Sequence, residues 1–308
     1  LDTAAINKAI DAAAAAGGGT VDFPAGNYLS FSIHLKSHVT LHLDAGATIV
    51  AAEPPEDLSS GYDAPEANPI TEYYEDFGHS HWHNSLIWGD GLEDIGITGP
   101  GRIFGRGLSK GGGRRDFLPE ERAARNEVGA PDGNTRVAFP LPASALAMIA
   151  AQKPGPFNEP GRDTLPAGVG NKAIALKNCR NVIFRDFTIY HGGHFGILAT
   201  GVDNWTCDGL KIDTNRDGID FDSCQNVRVS NCTINSPYDD GICPKASFAL
   251  GYPRPAENIT ITNCQVSGYD EGTLLDGTRQ RKVFPDGGTG RIKCGTEANG
   301  GFRNITIS

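Results

Sequence analysis

Short runs in which apolar and polar residues alternate recur through the second half of the chain, as in Val227-Arg228-Val229 and Ile259-Thr260-Ile261-Thr262. A period of two marks strands with one buried face. The runs sit inside a longer repeat: Asn-Cys-Arg-Asn-Val-Ile-Phe-Arg-Asp-Phe-Thr-Ile at 178–189 returns as Ser-Cys-Gln-Asn-Val-Arg-Val-Ser-Asn-Cys-Thr-Ile at 223–234. The Asn or Asp ahead of the first apolar strand residue marks the copies at Asp94, Asn181, Asn204, Asn226, Asn258 and Asn304, with steps of 87, 23, 22, 32 and 46 residues. One copy cannot bury its apolar face alone. Stacked copies cover one another and pair their strands in parallel along a common axis. The pattern therefore predicts an all-β solenoid, the longer steps being coils that carry loop insertions, with the marker asparagines stacking at turns.

The chain opens differently. Residues 3–13 are alanine-rich with apolar residues at helical spacing and are ended by Gly17-Gly18-Gly19, which predicts a short amphipathic helix capping the open end of the solenoid. Strands follow, including 39–43 and 48–50. Two stretches interrupt the pattern, near 53–90 and 108–170, both rich in Pro and charge. They read as long loop insertions in a single domain, 1–308, and insertions of that length in a compact fold usually serve function.

Composition supports the all-β reading, since 40 Gly and 19 Pro among 308 residues punctuate many short elements. A net charge of -10 argues against nucleic acid or an anionic membrane as partner. No apolar run approaches the ~20 residues of a membrane span. The seven cysteines, Cys179, Cys207, Cys224, Cys232, Cys243, Cys264 and Cys294, contain no CxxC pair, which speaks against a zinc or redox site. Cys179 and Cys224 share one repeat position and Cys232 and Cys264 another, so buried thiol ladders are expected in preference to disulfides.

The densest acidic cluster is Asp217-Gly218-Ile219-Asp220-Phe221-Asp222 followed by Tyr238-Asp239-Asp240-Gly241. The 22 residues from Asp217 to Asp239 match one coil, which would bring the carboxylates together on neighbouring coils. Two close carboxylates with separated pKa values are what glycoside hydrolysis needs. Calcium binding or turn capping by Asp-Gly accounts for the same residues equally well. Neighbours in a strand face opposite ways, so Asp239 and Asp240 share a site only where the backbone is irregular. The run His79-Ser80-His81-Trp82-His83 would put three histidines on one strand face, and neither a metal nor a cofactor is expected. Trp82, Tyr73, Tyr74 and Phe77 are candidates for an aromatic wall, and Arg279, Arg281 and Lys282 for a basic loop.

Asn215-Arg216-Asp217-Gly218-Ile219-Asp220, Asp239-Asp240-Gly241-Ile242-Cys243-Pro244-Lys245 and Arg291-Ile292-Lys293 resemble, in order, three motifs of the polygalacturonases, family 28 of the glycoside hydrolases. The likeness extends through the opening helix, 38–49 and 86–105, and covers most of the chain outside the insertions. It implies a right-handed parallel β-helix and an inverting hydrolase of pectin. It implies Asp239 as general acid, Asp217 and Asp240 as activators of water, and Arg291, Lys293 and Lys245 as binders of substrate. Two departures stand out: Arg216 replaces the family's Thr, and Gly268-Tyr269-Asp270-Glu271-Gly272 stands where the family has Gly-His-Gly, leaving Glu271 at the histidine's place and His194 as a possible substitute from another direction.

A secreted or periplasmic enzyme acting on a polysaccharide or oligosaccharide follows from the resemblance, and insertions that wall off one end of a cleft suggest exo action. A β-helix polysaccharide lyase and a non-catalytic carbohydrate-binding β-helix or adhesin are the rival readings. The first residues lack a signal-peptide pattern, and the repeat stops in mid-pattern at 304–308, so further sequence is expected at both ends.

Overall fold

The computed structural model describes residues 1–68, 79–110, 165–281 and 290–308. Helix α1 (Thr3–Ala15) comes first. Each coil then contributes up to three strands: β1 (Gly19–Phe23), β2 (Gly26–Ser30) and β3 (Ile33–His34), then β4 (Val39–Leu43), β5 (Ala47–Ala51) and β6 (Ser85–Asp90), then β7 (Glu93–Thr98), β8 (Arg102–Phe104) and β9 (Lys172–Lys177). The regular coils follow: β10 (Arg180–Arg185), β11 (Thr188–Tyr190) and β12 (Phe195–Thr200), then β13 (Asp203–Asp208), β14 (Lys211–Asp213) and β15 (Asp217–Asp222), then β16 (Gln225–Ser230), β17 (Thr233–Asn235) and β18 (Ile242–Lys245). β19 (Ala256–Thr262), β20 (Gln265–Ser267) and β21 (Phe302–Ile307) finish the described chain.

Among the described residues, first strands pair only with first strands, second with second and third with third, always in parallel, giving sheets of eight, seven and six strands. Register explains why the sequence repeats. Ile33, Ile87, Ile174, Ile197, Ile219 and Ile242 lie level in the third sheet, and all are fully buried. Ile49, Ile103, Ile189, Ile212 and Ile234 do the same in the second. A β-branched chain that packs well on a pleated strand packs equally well on its copy one coil away.

The helix caps this column by burying Ile6 and Ile10. Its polar side chains hold the first coil: the Leu29 and Phe31 amides donate to Asp2 and Thr3, and the Asn7 amide group bonds Ser32 and His34.

The marker asparagines form a continuous hydrogen-bonded file along one edge. Asn181 donates to Asp94, Asn204 to Asn181, Asn226 to Asn204, Asn258 to Asn226 and Asn304 to Asn258, at 2.8–3.3 Å. They sit near the starts of first-sheet strands with φ of 48–59°, a left-handed conformation that Asn tolerates because its short amide bonds locally. Asn226→Ala should therefore cost about 1–2 kcal/mol in urea unfolding, and Asn226→Gly less, since glycine keeps the backbone while losing the same bonds. Equal losses in the two variants would remove backbone conformation from the explanation.

All seven cysteines are free thiols. Cys232 and Cys264 are neighbours on adjacent coils. Cys179 and Cys224 occupy the same position, but Val202 on the intervening coil stands between them, so that ladder is not continuous in sulfur. The insertions leave from one place, the corner between the second and third strands. Those of the second and third coils lie between Ala51 and Ser85 and between Phe104 and Lys172, so 85–90 is strand and not insertion. The stretch between Ser267 and Phe302 leaves its coil after the second strand as well.

Candidate active site

The corner that carries the insertions also carries the acidic cluster. Asp217 begins β15, and the ladder to β18 starts with Ile219 opposite Ile242, which brings Asp240 level with Asp217; the Gly218 amide donates to the Asp240 carbonyl at 2.9 Å. The coils approach this closely because the corner positions are glycines. A Cβ at Gly218 would lie 2.4 Å from the Gly241 carbonyl oxygen. Asp239 and Asp240 lie in a bend ahead of β18, not in a strand, and this irregularity lets consecutive carboxylates serve one site. One oxygen from each of Asp217, Asp239 and Asp240 can be chosen so that all lie within 4.8 Å of one another.

The three carboxylates have different surroundings. Burial pushes Asp217 well above the usual carboxylate range, and the charges of Asp220 and Asp239 add to the effect. Burial also raises Asp240, against the pull of Lys293, whose Nζ lies 2.7 Å from Oδ2; the Gly290 amide donates to Oδ1. Asp239, less buried, accepts from Arg216 Nη2 at 2.5 Å. With Arg216 and Lys293 already beside it, the trio is poorly suited to a divalent cation, although its oxygens are close enough to hold one.

His194 Nε2 stands 3.9 Å from Asp217. Burial, reinforced by the positive charge of Arg216, His79, Lys172 and Lys245, holds its pKa well below the ordinary histidine value, so it is neutral. Arg291 is half-buried, and its Nη1 donates to the Ser236 and Ser267 carbonyls at 2.6 and 2.7 Å, pinning the loop that also carries Lys293. Glu271 lies at one side, bonded to His191 Nδ1 (2.6 Å), Lys110 Nζ (2.5 Å) and Asn215 (3.1 Å). Burial would raise its pKa, but the bonds from His191 and Lys110 outweigh it and lower the value.

Lys245 is buried, as Asp217 and Asp240 are, with Nζ 3.1 Å from Glu297 and 3.6 Å from Asp220. His79 completes the group, its Nε2 3.3 Å from the same Asp220 oxygen. Burial would lower the His79 pKa and Lys245 adds to that, yet Glu297 and Asp220 raise it to about 9. Glu297 is held down at about 2 despite its burial, by His79 and Lys245. Two cations and two anions thus lie beneath the aspartates, joining strands β15 and β18 to two insertions.

The histidine run is not a strand. Residues 79–84 form no strand or helix: His79 goes to Asp220, His81 Nδ1 lies 2.7 Å from the Glu66 carbonyl oxygen, and His83 stacks on Trp88 at 4.0 Å. Trp82 is no aromatic wall, being fully buried with Nε1 donating to Thr200. Tyr73, Tyr74, Phe77 and Lys282 lie outside the described residues. Arg281 stands over the Tyr269 ring at 5.9 Å.

Residues missed by sequence reasoning include Lys172, buried and bonded to Asn171 and Asn84, with its pKa lowered to about 7 by burial. It lies level with Phe195, which lies level with Asp217. Its register in the repeat was the only available signal.

Comparison with known proteins agrees with this architecture. The family described as "right handed beta helix region" matches residues 167–308, and the fold is a right-handed parallel β-helix. The chain is 26% identical over 271 residues to an exo-poly-alpha-D-galacturonosidase of Dickeya chrysanthemi, covering 83% of this chain and 40% of that protein. It thus spans less than half of that curated relative. Among solved structures, a hyperthermoactive exopolygalacturonase from Thermotoga maritima superposes with a TM-score of 0.61 at 19% identity, covering 99% of this chain and 61% of the other. A family 28 exopolygalacturonase of Yersinia enterocolitica gives 0.60 at 21% identity, covering 100% and 50%. At these identities the structures speak for the fold. Among the described residues, no helix is long and apolar enough to cross a membrane.

Proposed function

We propose that this chain is a glycoside hydrolase acting on a pectic or related uronic-acid glycan, in the secreted or periplasmic space, from the end of the substrate chain and with inversion at the anomeric carbon. The observation that carries this reading is the convergence of Asp217, Asp239 and Asp240 within 4.8 Å at one corner, in residues that resemble the polygalacturonase motifs. The Dickeya relative, an exo-poly-alpha-D-galacturonosidase, supports the substrate class and the exo action.

In the reaction, Asp239 gives its proton to the glycosidic oxygen as the bond to the anomeric carbon breaks. Asp217 and Asp240 take a proton from the water that attacks from the opposite side. Arg291 and Lys293 bind a sugar carboxylate through their N–H groups. An inverting pair usually stands about 6.5–9.5 Å apart to admit water, and these oxygens are closer. Three carboxylates in place of two account for the difference, since a water held between Asp217 and Asp240 need not fit between acid and base.

Early digestion products test both refinements. Release of a single small product, with its first-formed anomer inverted by proton NMR, is expected. Mixed internal oligosaccharides would exclude exo action, and retention would exclude the water-activating pair.

A further inference from the structure

Arg216 stands immediately before Asp217, and its Nη2 lies 2.5 Å from Asp239 Oδ2. Its Nε is buried and has no hydrogen-bond acceptor. The Nε–Nη2 edge is the edge by which a guanidinium grips a carboxylate with two parallel bonds, and here only half of it is used. Asp239 in turn cannot hand a proton to a leaving oxygen through Oδ2, the oxygen that the guanidinium occupies.

We propose that Arg216 is an exchange residue for specificity: it holds Asp239 in the empty site, and a uronate carboxylate of the bound glycan takes Arg216 away with a bidentate grip, freeing Asp239 to act as the acid. This rests on the hydrolase reading above. The only covalent change in the exchange is the O–H bond that breaks on Asp217 and the one that forms on Asp239. One proton relocates from Asp217 to Asp239, leaving Asp217 as the ionised partner of the attacking water, and the positive charge of Arg216 passes from the Asp239 carboxylate to that of the sugar. The raised pKa of the buried Asp217 is consistent with the proton starting there. Arg291 and Lys293 do not perform this exchange, because the first is tied to the Ser236 and Ser267 carbonyls and the second to Asp240.

The test compares kcat/KM for an oligogalacturonide as the free acid and as its full methyl ester, which keeps the ring and removes the charge. The wild type should prefer the free acid. In Arg216→Thr that preference should shrink by about tenfold or more, the size of a lost charge-assisted bond. Arg216→Lys should fall between, because lysine keeps the charge without the fork, and it carries the comparison if the threonine variant does not fold. An unchanged acid-to-ester ratio in a folded variant overturns the exchange and leaves hydrolysis standing. A wild type that cleaves neither form overturns the hydrolase reading, and the exchange with it.

Discussion

Asp239→Asn lowers the release of reducing ends from a pectic glycan by on the order of 100-fold or more, while the melting temperature changes little. The side chain keeps its shape, and Arg216, its partner at 2.5 Å, can still bond the amide oxygen. The other two carboxyls of the trio do not replace it as proton donor to the leaving oxygen: Asp240 is held by Lys293 and the Gly290 amide, and Asp217, like Asp240, is buried. Activity within tenfold of wild type would remove Asp239 from the acid role.

The second large effect concerns stability. Lys245→Met should destabilise the fold by about 3–5 kcal/mol in denaturant titration, the cost of leaving a buried charge uncompensated. Asp220 is fully buried, and Lys245 and His79 are the cations beside it. Adding Glu297→Gln to Lys245→Met restores neutrality among the four groups and should recover part of the loss. A single-variant cost below about 1 kcal/mol, the range of exposed pairs, would show that the group does not bind the two insertions to the strands.

The parts of the molecule that repeat were legible in the sequence, because stacking writes the same residue at the same place in each coil. The asparagine file from Asp94 to Asn304 is an example, and so is the capping helix, which needs only local spacing. Asp217, Asp239 and Asp240 could be brought together from the coil length alone. What spacing could not reveal is which distant segments close over that corner. His79 meets Asp220 across 141 residues and Lys245 meets Glu297 across 52, and both acceptances depend on loops whose paths follow no period. Trp82 illustrates the same limit, since an aromatic in an irregular insertion reads as exposed until the packing beneath it is known.

The most direct measurement follows reducing ends and ultraviolet absorbance together while wild type and Asp239→Asn digest polygalacturonan. The account predicts new reducing ends without absorbance from the wild type, and their loss in the variant. Absorbance rising in step with chain cleavage would mean elimination to an unsaturated sugar, and would contradict hydrolysis at this corner.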